Sequence, residues 1–195
     1  MYYKIITDVA TEPVTTAEAK THLRISGSDD DTYIDTLCVI ARRWVENYTG
    51  HALATQTLEY IADDFPSNSD YIVLPFYPCQ SITTNKYKAS DGHETTSGAS
   101  NYILSSDKAD KLPRVYLAYN EVFPTFEPYP VDAVRIRAVF GHKDDGIVLP
   151  KEIEHSCLLL IGHLYENREI AYEKKLNEVP YSIKSLLDSY RVRWL

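Results

Sequence analysis

The chain has 195 residues, of which 44% are hydrophobic and 25% are charged, as is ordinary for a globular protein. A chain of this length can bury roughly 70% of its unfolded surface in a core of its own. The formal net charge is −8 without a basic block, which argues against tight binding to a nucleic-acid backbone. No run of about 18 apolar residues is present and the first residues turn polar quickly, so we expect neither a membrane span nor a signal peptide.

The first part of the chain predicts an arm followed by a short helix. Residues 1–12 are expected to form an extended arm. Thr15 and Glu18 then have the spacing of a capping box, in which each side chain binds the backbone amide of the other residue. The box predicts a helix over residues 17–24, which the region of Gly27 ends.

A second, longer helix is expected to run from an acidic segment to a glycine. Residues 28–31 place a serine and three aspartates where a helix begins, and negative charge is favourable at that end of the helix dipole. Apolar residues recur at helical spacing as far as Gly50, which suits the position just after a helix. Trp44 lies on this apolar stripe, so we expect it in the core.

From residue 53 onward the pattern changes to that of an antiparallel β region, which extends to residue 140. Residues 90–92, with the sequence SDG, favour a hairpin turn. Polar and apolar residues alternate over 134–139, as in a strand with one wet face. Six segments are rich in β-branched and aromatic residues and are predicted as strands: TQTLEYIA, YIVLP, SITTNKYKA, NYILS, RVYLAY and DAVRIRAVF.

The helix predicted over residues 150–168 is expected to be central, because its apolar stripe is too wide to be covered from one side. Pro150 suits its first turn, where a missing N–H group has no consequence. Gly162 costs about 1 kcal/mol relative to alanine inside a helix, which predicts the close approach of a neighbouring backbone. The stripe consists of Ile153, Cys157, Leu160, Ile161, Leu164 and Tyr165.

These elements predict an α+β protein. Its core would be a helical bundle built from the N-terminal and C-terminal helices, into which the antiparallel β region is inserted. The predicted boundaries are 1–52 for the N-terminal helical part, 53–140 for the β insertion, and 141–195 for the C-terminal helical part and tail. All three would form one composite domain, because neither helical part alone can cover the stripe of the central helix.

Residue patterns that carry catalytic chemistry are scarce. Cys38, Cys79 and Cys157 are isolated, which indicates a reducing compartment and argues against a structural zinc site. His155 and His163 lack the i, i+4 spacing of helical metal ligands, and we expect a structural hydrogen bond between His163 and Glu166. We therefore predict no catalytic residue, no cofactor and no metal. A small metal-dependent hydrolase that uses His155, His163 and Glu166 remains the alternative.

Five segments together resemble one family of virion proteins. In chain order they are VTTAEAKTHLRI (14–25), YTGHALATQT (48–57), LPFYPCQSIT (74–83), HLYENRE (163–169) and VPYSIKSLLDSYR (179–191). In this order and spacing the chain resembles the head–tail connector proteins, also called adaptor or head-completion proteins, of long-tailed phages and gene-transfer particles. Residues 84–133 share little of the resemblance, which suggests a β insertion specific to this lineage.

The resemblance implies a structural protein of the virion that is made in the bacterial host cytoplasm and has no catalytic activity. Such proteins form a ring, usually dodecameric, that docks under the portal protein at the head–tail junction. The ring extends the DNA channel, helps to retain packaged DNA and offers the surface to which the tail attaches, through a tail-terminator or neck protein. The acidic balance agrees with this role, because a negative lumen lets DNA pass without specific binding.

The resemblance also implies a role for the end of the chain, because in this family the C-terminal tail reaches the portal. The candidate portal-docking residues are Tyr190, Arg191, Arg193, Trp194 and Leu195. Tyrosine, tryptophan and arginine are the residue types enriched at binding hot spots. Alternatively, Trp194 folds back to cap the last helix. For the function of the chain as a whole, the alternative is another neck protein of the virion or a tail-terminator protein.

Overall fold

The structure is a computed structural model, and it describes residues 1–67, 70–106, 111–142, 147–168 and 181–192. Helices and antiparallel sheets are both present, so the predicted mixed α+β class is confirmed. The chain divides into two compact units. The sheet unit comprises Met1–Val9, Thr55–Gly141 and Val192–Leu195, and the helical unit comprises Ala10–Ala54 and His142–Arg191. Residues 1–9, which the sequence analysis placed with the N-terminal helices, thus lie in the sheet unit.

The helical unit contains four helices within the described residues. They are α1 (Thr16–Leu23), α2 (Asp31–Thr49), α3 (Lys151–Glu166) and α4 (Tyr181–Leu187), and a 3-10 turn follows α4 at Asp188–Tyr190. The capping box before α1 is confirmed, because the Glu18 amide donates to the Thr15 hydroxyl while the Glu18 carboxylate accepts from the Thr15 amide. The helix ends at Arg24, which is left-handed at φ 58°, and not at Gly27.

The C-terminal end of α2 has the predicted conformation, whereas its N-terminal end lacks a side-chain capping hydrogen bond. Gly50 adopts the expected left-handed conformation, with φ 77°, and its amide closes the last turn on the carbonyl of Glu46. Asp30 occupies the N-cap position, but its side chain makes no capping hydrogen bond. Its carboxylate accepts instead from the Tyr165 hydroxyl and from the Arg168 guanidinium. The segment 28–31 thus begins the helix as predicted, but the Asp30 side chain does not cap it, because that side chain binds groups at the end of α3.

The core of the helical unit is one apolar cluster, in which α3 contacts α1, α2 and α4. Of the residues predicted for this core, Ile153, Cys157, Leu160 and Ile161 are at most 2% exposed, whereas Trp44 and Leu164 are half-buried and pack against the cluster. A Cβ atom on Gly162 would lie 3.5 Å from the His22 ring and 3.9 Å from a Leu23 methyl group. These are ordinary contacts with side chains, so the predicted close approach of a backbone is wrong.

A charged group also lies inside the helical unit. Arg42 on α2 is 1% exposed, and its guanidinium donates to Glu12 at 2.7 Å and to Glu46 at 3.0 Å. The other Glu46 oxygen accepts from the Leu53 amide at 2.9 Å. Burial of an arginine requires such partners, because an unpaired charge loses its hydration without compensation.

The sheet unit contains two antiparallel sheets. One has the strand order β1-β2-β8-β4-β5 and the other has the order β3-β7-β6. The strands are β1 (Tyr2–Thr7), β2 (Gln56–Ala62), β3 (Tyr71–Val73), β4 (Cys79–Lys88), β5 (Glu94–Thr96), β6 (Tyr102–Ser105), β7 (Arg114–Leu117) and β8 (Val134–Phe140). The predicted SDG turn is confirmed, since β4 and β5 form a hairpin around Gly92, whose φ is 87°.

The structure differs from the prediction in the pairing of strand β1 and in the burial of strand β8. The N-terminal arm is extended as expected, but it pairs with β2 and forms one edge of the larger sheet. Strand β8 lies between β2 and β4, and its residues alternate between buried and half-buried. The alternation is thus confirmed, but the second face is half-buried and not fully wet. Arg137 on that face donates to Glu59 of β2 at 2.8 Å.

Candidate functional site

Tyr190, the first candidate docking residue, belongs to the helical core. Ile183 and Leu187 of α4 are buried in the helical cluster, and Tyr190 packs half-buried against the same cluster. Burial raises the pKa of the Tyr190 phenol, and a hydrogen bond with Glu152 raises it further. The structure thus gives Tyr190 an anchoring position, and its docking role stays a prediction.

Arg191 lies on the surface but is held over an aromatic pair. Its guanidinium carbon is 5.3 Å from the centre of the Tyr48 ring, and Tyr48 stacks on Trp44 with ring centres 5.1 Å apart. The Tyr48 hydroxyl donates to Asp188 at 2.6 Å, and this carboxylate raises the pKa of the phenol. The arginine is exposed and positively charged, so it remains available to an acidic partner.

The last described residue, Val192, is fixed in the sheet unit. It is 5% exposed and forms a small apolar cluster with Tyr77 and Leu112, against which Val73 packs. The three following candidate docking residues, Arg193, Trp194 and Leu195, lie outside the described residues. Both interpretations of Trp194, portal docking and helix capping, therefore stay predictions.

The alternative metal site is not assembled within the described ranges. His155 is exposed, and its ring lies edge-to-face with that of His22, with centres 6.2 Å apart. The Asn167 side-chain amide donates to the His163 backbone carbonyl at 2.7 Å and lies 3.5 Å from Nδ1 of the His163 ring. The predicted hydrogen bond between His163 and Glu166 is not formed in the described residues. In those ranges no group of three or more His, Cys, Asp and Glu side chains could hold a metal ion.

The three cysteine thiols are buried and unsuited to nucleophilic chemistry. Burial raises the pKa of Cys38 to about 11 and that of Cys79 to about 12, and it also raises the pKa of Cys157. A thiol with so high a pKa stays protonated at neutral pH, and the thiolate is the reactive form.

Over the described segments, no helix has both the length and the apolar character needed to cross a membrane.

A pair of histidines is a feature that the sequence analysis missed. His51 and His142 are 91 residues apart in sequence, yet Nδ1 of His51 lies 3.2 Å from Nε2 of His142 and the rings stack. Both belong to the helical unit and are at most 5% exposed. Burial lowers the pKa of His142. No local sequence signal marks such a pair, because only the fold brings the two rings together.

Comparison with known proteins gives matches at the level of family and of structure. Residues 14–108 match the family described as "Phage gp6-like head-tail connector protein". No curated protein matches the chain in sequence. A chain of the structure described as "Neck of empty GTA particle computed with C6 symmetry" has a TM-score of 0.81 at 22% identity, covering 100% of this chain and 97% of its own.

A second solved structure is similar to this chain over the same share of its length. A chain of the structure described as "Neck of native GTA particle computed with C12 symmetry" has a TM-score of 0.79 at 21% identity, again covering 100% of this chain and 97% of its own. GTA denotes a gene transfer agent. Residues 84–133 fall within both alignments, so the expectation that they form an insertion specific to this lineage is wrong.

Proposed function

Because residues 14–108 match the phage gp6-like head–tail connector family, we propose that the chain is a structural protein of the virion neck, located at the head–tail junction. The family match over residues 14–108 is the observation that carries this proposal. The full-length likeness in fold to two chains from necks of gene transfer agent particles supports it. The family match also favours a connector over a tail terminator. The role is architectural and involves no catalytic step.

The proposed assembly is a ring, dodecameric in number, that docks under the portal protein. The two neck structures to which the chain is similar were computed with C6 and C12 symmetry, and this supports a cyclic arrangement. In a ring each subunit offers one surface to the neighbour on one side and a different surface to the neighbour on the other. The ring would extend the portal channel, help to retain DNA and present the tail side to a tail-terminator or neck protein.

Charge supports passage of DNA through the ring. The chain has a formal net charge of −8, and a ring multiplies this charge by its number of copies. DNA carries about one negative charge per 1.7 Å of its axis, so a negative channel repels it, whereas a basic channel would hold it. We therefore expect the DNA to pass without specific contacts.

The portal contact is assigned to the C-terminal tail. Val192 is buried, so the part of the tail that could extend toward a partner begins at Arg193. Arg193, Trp194 and Leu195 combine a cation, a large aromatic ring and an apolar end, which suits a hot spot. Arg191 would add a positive charge beside this segment. A ring presents all its tails at once, so weak individual contacts would add up through avidity.

Removal of the gene from the phage or particle-producing strain tests the proposal. We expect heads that package DNA but lose it readily and carry no tails, and a wild-type copy supplied in trans should restore tailed particles. Electron microscopy and a nuclease-protection assay measure both outcomes. Tailed particles that retain DNA in the absence of this protein would contradict a connector role.

A further inference from the structure

The edges of the two sheets differ in how well they are protected against added strands. The described edge strands are β1 and β5 in the larger sheet, and β3 and β6 in the smaller one. An edge strand exposes backbone N–H and C=O groups with which another chain can pair, unless the strand is short, charged or covered. Strands β5 and β3 have only three residues each, and β5 carries Glu94. These two edges are therefore poor templates.

Strand β1 is a better template. It has six residues, of which Lys4 is the only charged one. Tyr2 is 52% exposed and Ile5 is 42% exposed. The pairing with β2 is regular from Tyr2 to Ile5, and its register shifts only between Ile5 and Thr7. Four consecutive residues of this strand thus form a regularly paired edge that is apolar except for Lys4.

Strand β6 is the second exposed template. It has four residues and no charge, and its partner β7 pairs with it on one side. Ile103 is 56% exposed, and Ser105 is exposed as well. In the parts of the chain that the structure describes, no strand pairs with the outer side of β1 or of β6.

We propose that β1 of one copy pairs with β6 of the next copy around the ring. This inference rests on the proposed function, since a cyclic assembly needs two different surfaces on every subunit, and β1 and β6 are two different edges. Pairing of β1 with β1 would close a twofold dimer and would stop growth. When β1 pairs with β6, a linear oligomer keeps an unpaired β1 at one end and an unpaired β6 at the other. Further copies can therefore add until these two ends pair and close the ring.

The side chains suit such a contact. Strand pairs are stabilised by aromatic and β-branched residues that face one another across the ladder. Strand β1 supplies tyrosines and isoleucines, and β6 supplies Tyr102, Ile103 and Leu104. The contact would also cover Ile103, which the isolated chain leaves in water.

Cysteine cross-linking between copies tests the contact directly. Variants carrying Lys4→Cys or Ile5→Cys together with Ile103→Cys are treated with a short bismaleimide, either in assembled particles or in purified rings. The native thiols of Cys38, Cys79 and Cys157 are buried and should react little. We expect a ladder of covalent oligomers on a denaturing gel. Each single variant should give no ladder, and neither should Lys4→Cys combined with Thr96→Cys on β5.

Charge substitution gives an independent readout. Ile103→Lys replaces an exposed side chain, so folding should be unaffected, but the dissociation constant of the contact between neighbouring copies should rise by about tenfold, equivalent to about 1.4 kcal/mol. Thr96→Lys is the matched control, because it adds the same charge to the edge strand β5, and it should leave ring formation unchanged.

The outcomes separate this inference from the proposed function. Rings that form normally without a β1–β6 ladder, or with a ladder only for the β5 pair, would overturn the strand contact while the connector role stands. An Ile103→Lys variant that assembles like the wild type would overturn it too. If the wild-type chain neither forms rings nor enters particles, the proposed function fails, and the strand contact fails with it.

Discussion

The helical unit and the sheet unit bury their apolar surface in different ways. In the helical unit one cluster surrounds α3, and even Arg42 and its partner Glu46 are buried. In the sheet unit two antiparallel sheets leave the edge strands β1 and β6, which carry exposed apolar side chains, in water. We infer that the core of the helical unit determines the free energy of unfolding, whereas the sheet unit offers the surface for assembly. Substitutions in the helical unit should therefore unfold the chain, whereas substitutions at the sheet edges should spare folding and impair assembly.

The largest effect is expected from a carboxylate placed in the centre of the helical cluster. Leu160→Asp or Ile161→Asp would bury an unpaired charge at a cost of several kcal/mol, against a total stability of about 5–15 kcal/mol. We expect loss of soluble protein, measured as yield in the supernatant. His163→Ala, on the same helix but only half-buried, is the control and should remain soluble. A soluble, folded Leu160→Asp protein would show that α3 is not central to stability.

Removal of the buried cation should have the next largest effect. Arg42→Ala leaves the carboxylates of Glu12 and Glu46 without the guanidinium that binds them, and loss of one partner from a buried pair costs about 3–5 kcal/mol. Urea unfolding measures the loss. Lys151→Ala is the matched control, because its pair with Glu154 is exposed on the lysine side and should be worth less than about 1 kcal/mol. Equal losses in the two variants would contradict the enclosed network.

A smaller change of opposite sign is expected at Gly162. Alanine there gains up to about 1 kcal/mol in helix propensity, and its Cβ atom meets only side chains at 3.5 Å or more. We expect Gly162→Ala to raise the free energy of unfolding, as measured by the urea midpoint. A clear destabilisation would mean that the His22 and Leu23 side chains cannot adjust.

The smallest effect on stability is expected at the C-terminus, where the effect on assembly should be large. Deletion of residues 193–195 removes the proposed docking segment but keeps Val192, so the melting temperature should be unchanged while heads fail to acquire this protein. Deletion of residues 192–195 also removes a buried valine and should lower stability by about 1.5–3 kcal/mol. Full occupancy on heads after the shorter deletion would contradict the docking assignment.

The parts of the fold that the sequence could predict depend on neighbouring residues. The capping box of Thr15 and Glu18, the glycine that ends α2 and the SDG turn each act within a few residues, so their residue types suffice. The apolar stripe of α3 was readable for the same reason. Composition and alternation found six of the seven strands that the structure describes between residues 53 and 140, and the three-residue β5 was missed.

The parts that the sequence could not predict depend on distant partners. Arg42 and Glu46 are buried because they bind each other, whereas Ile40 of the same helix is 46% exposed, so the hydrophobic pattern alone misplaces the inner face of α2. The pairing of β1 with β2 joins residues at least fifty positions apart, and nothing local distinguishes an arm from an edge strand. The burial of Val192 could not be predicted for the same reason, because Val192 packs against Tyr77 and Leu112, which are distant in sequence.

A reconstruction of the intact particle tests the central claim most directly, by giving the position and the copy number of this chain. The account predicts a dodecameric ring of this protein immediately beneath the portal, between the head and the tail, with density for the fold described above. Particles without the protein, or with the protein on the capsid shell or at the far end of the tail, would contradict a connector role.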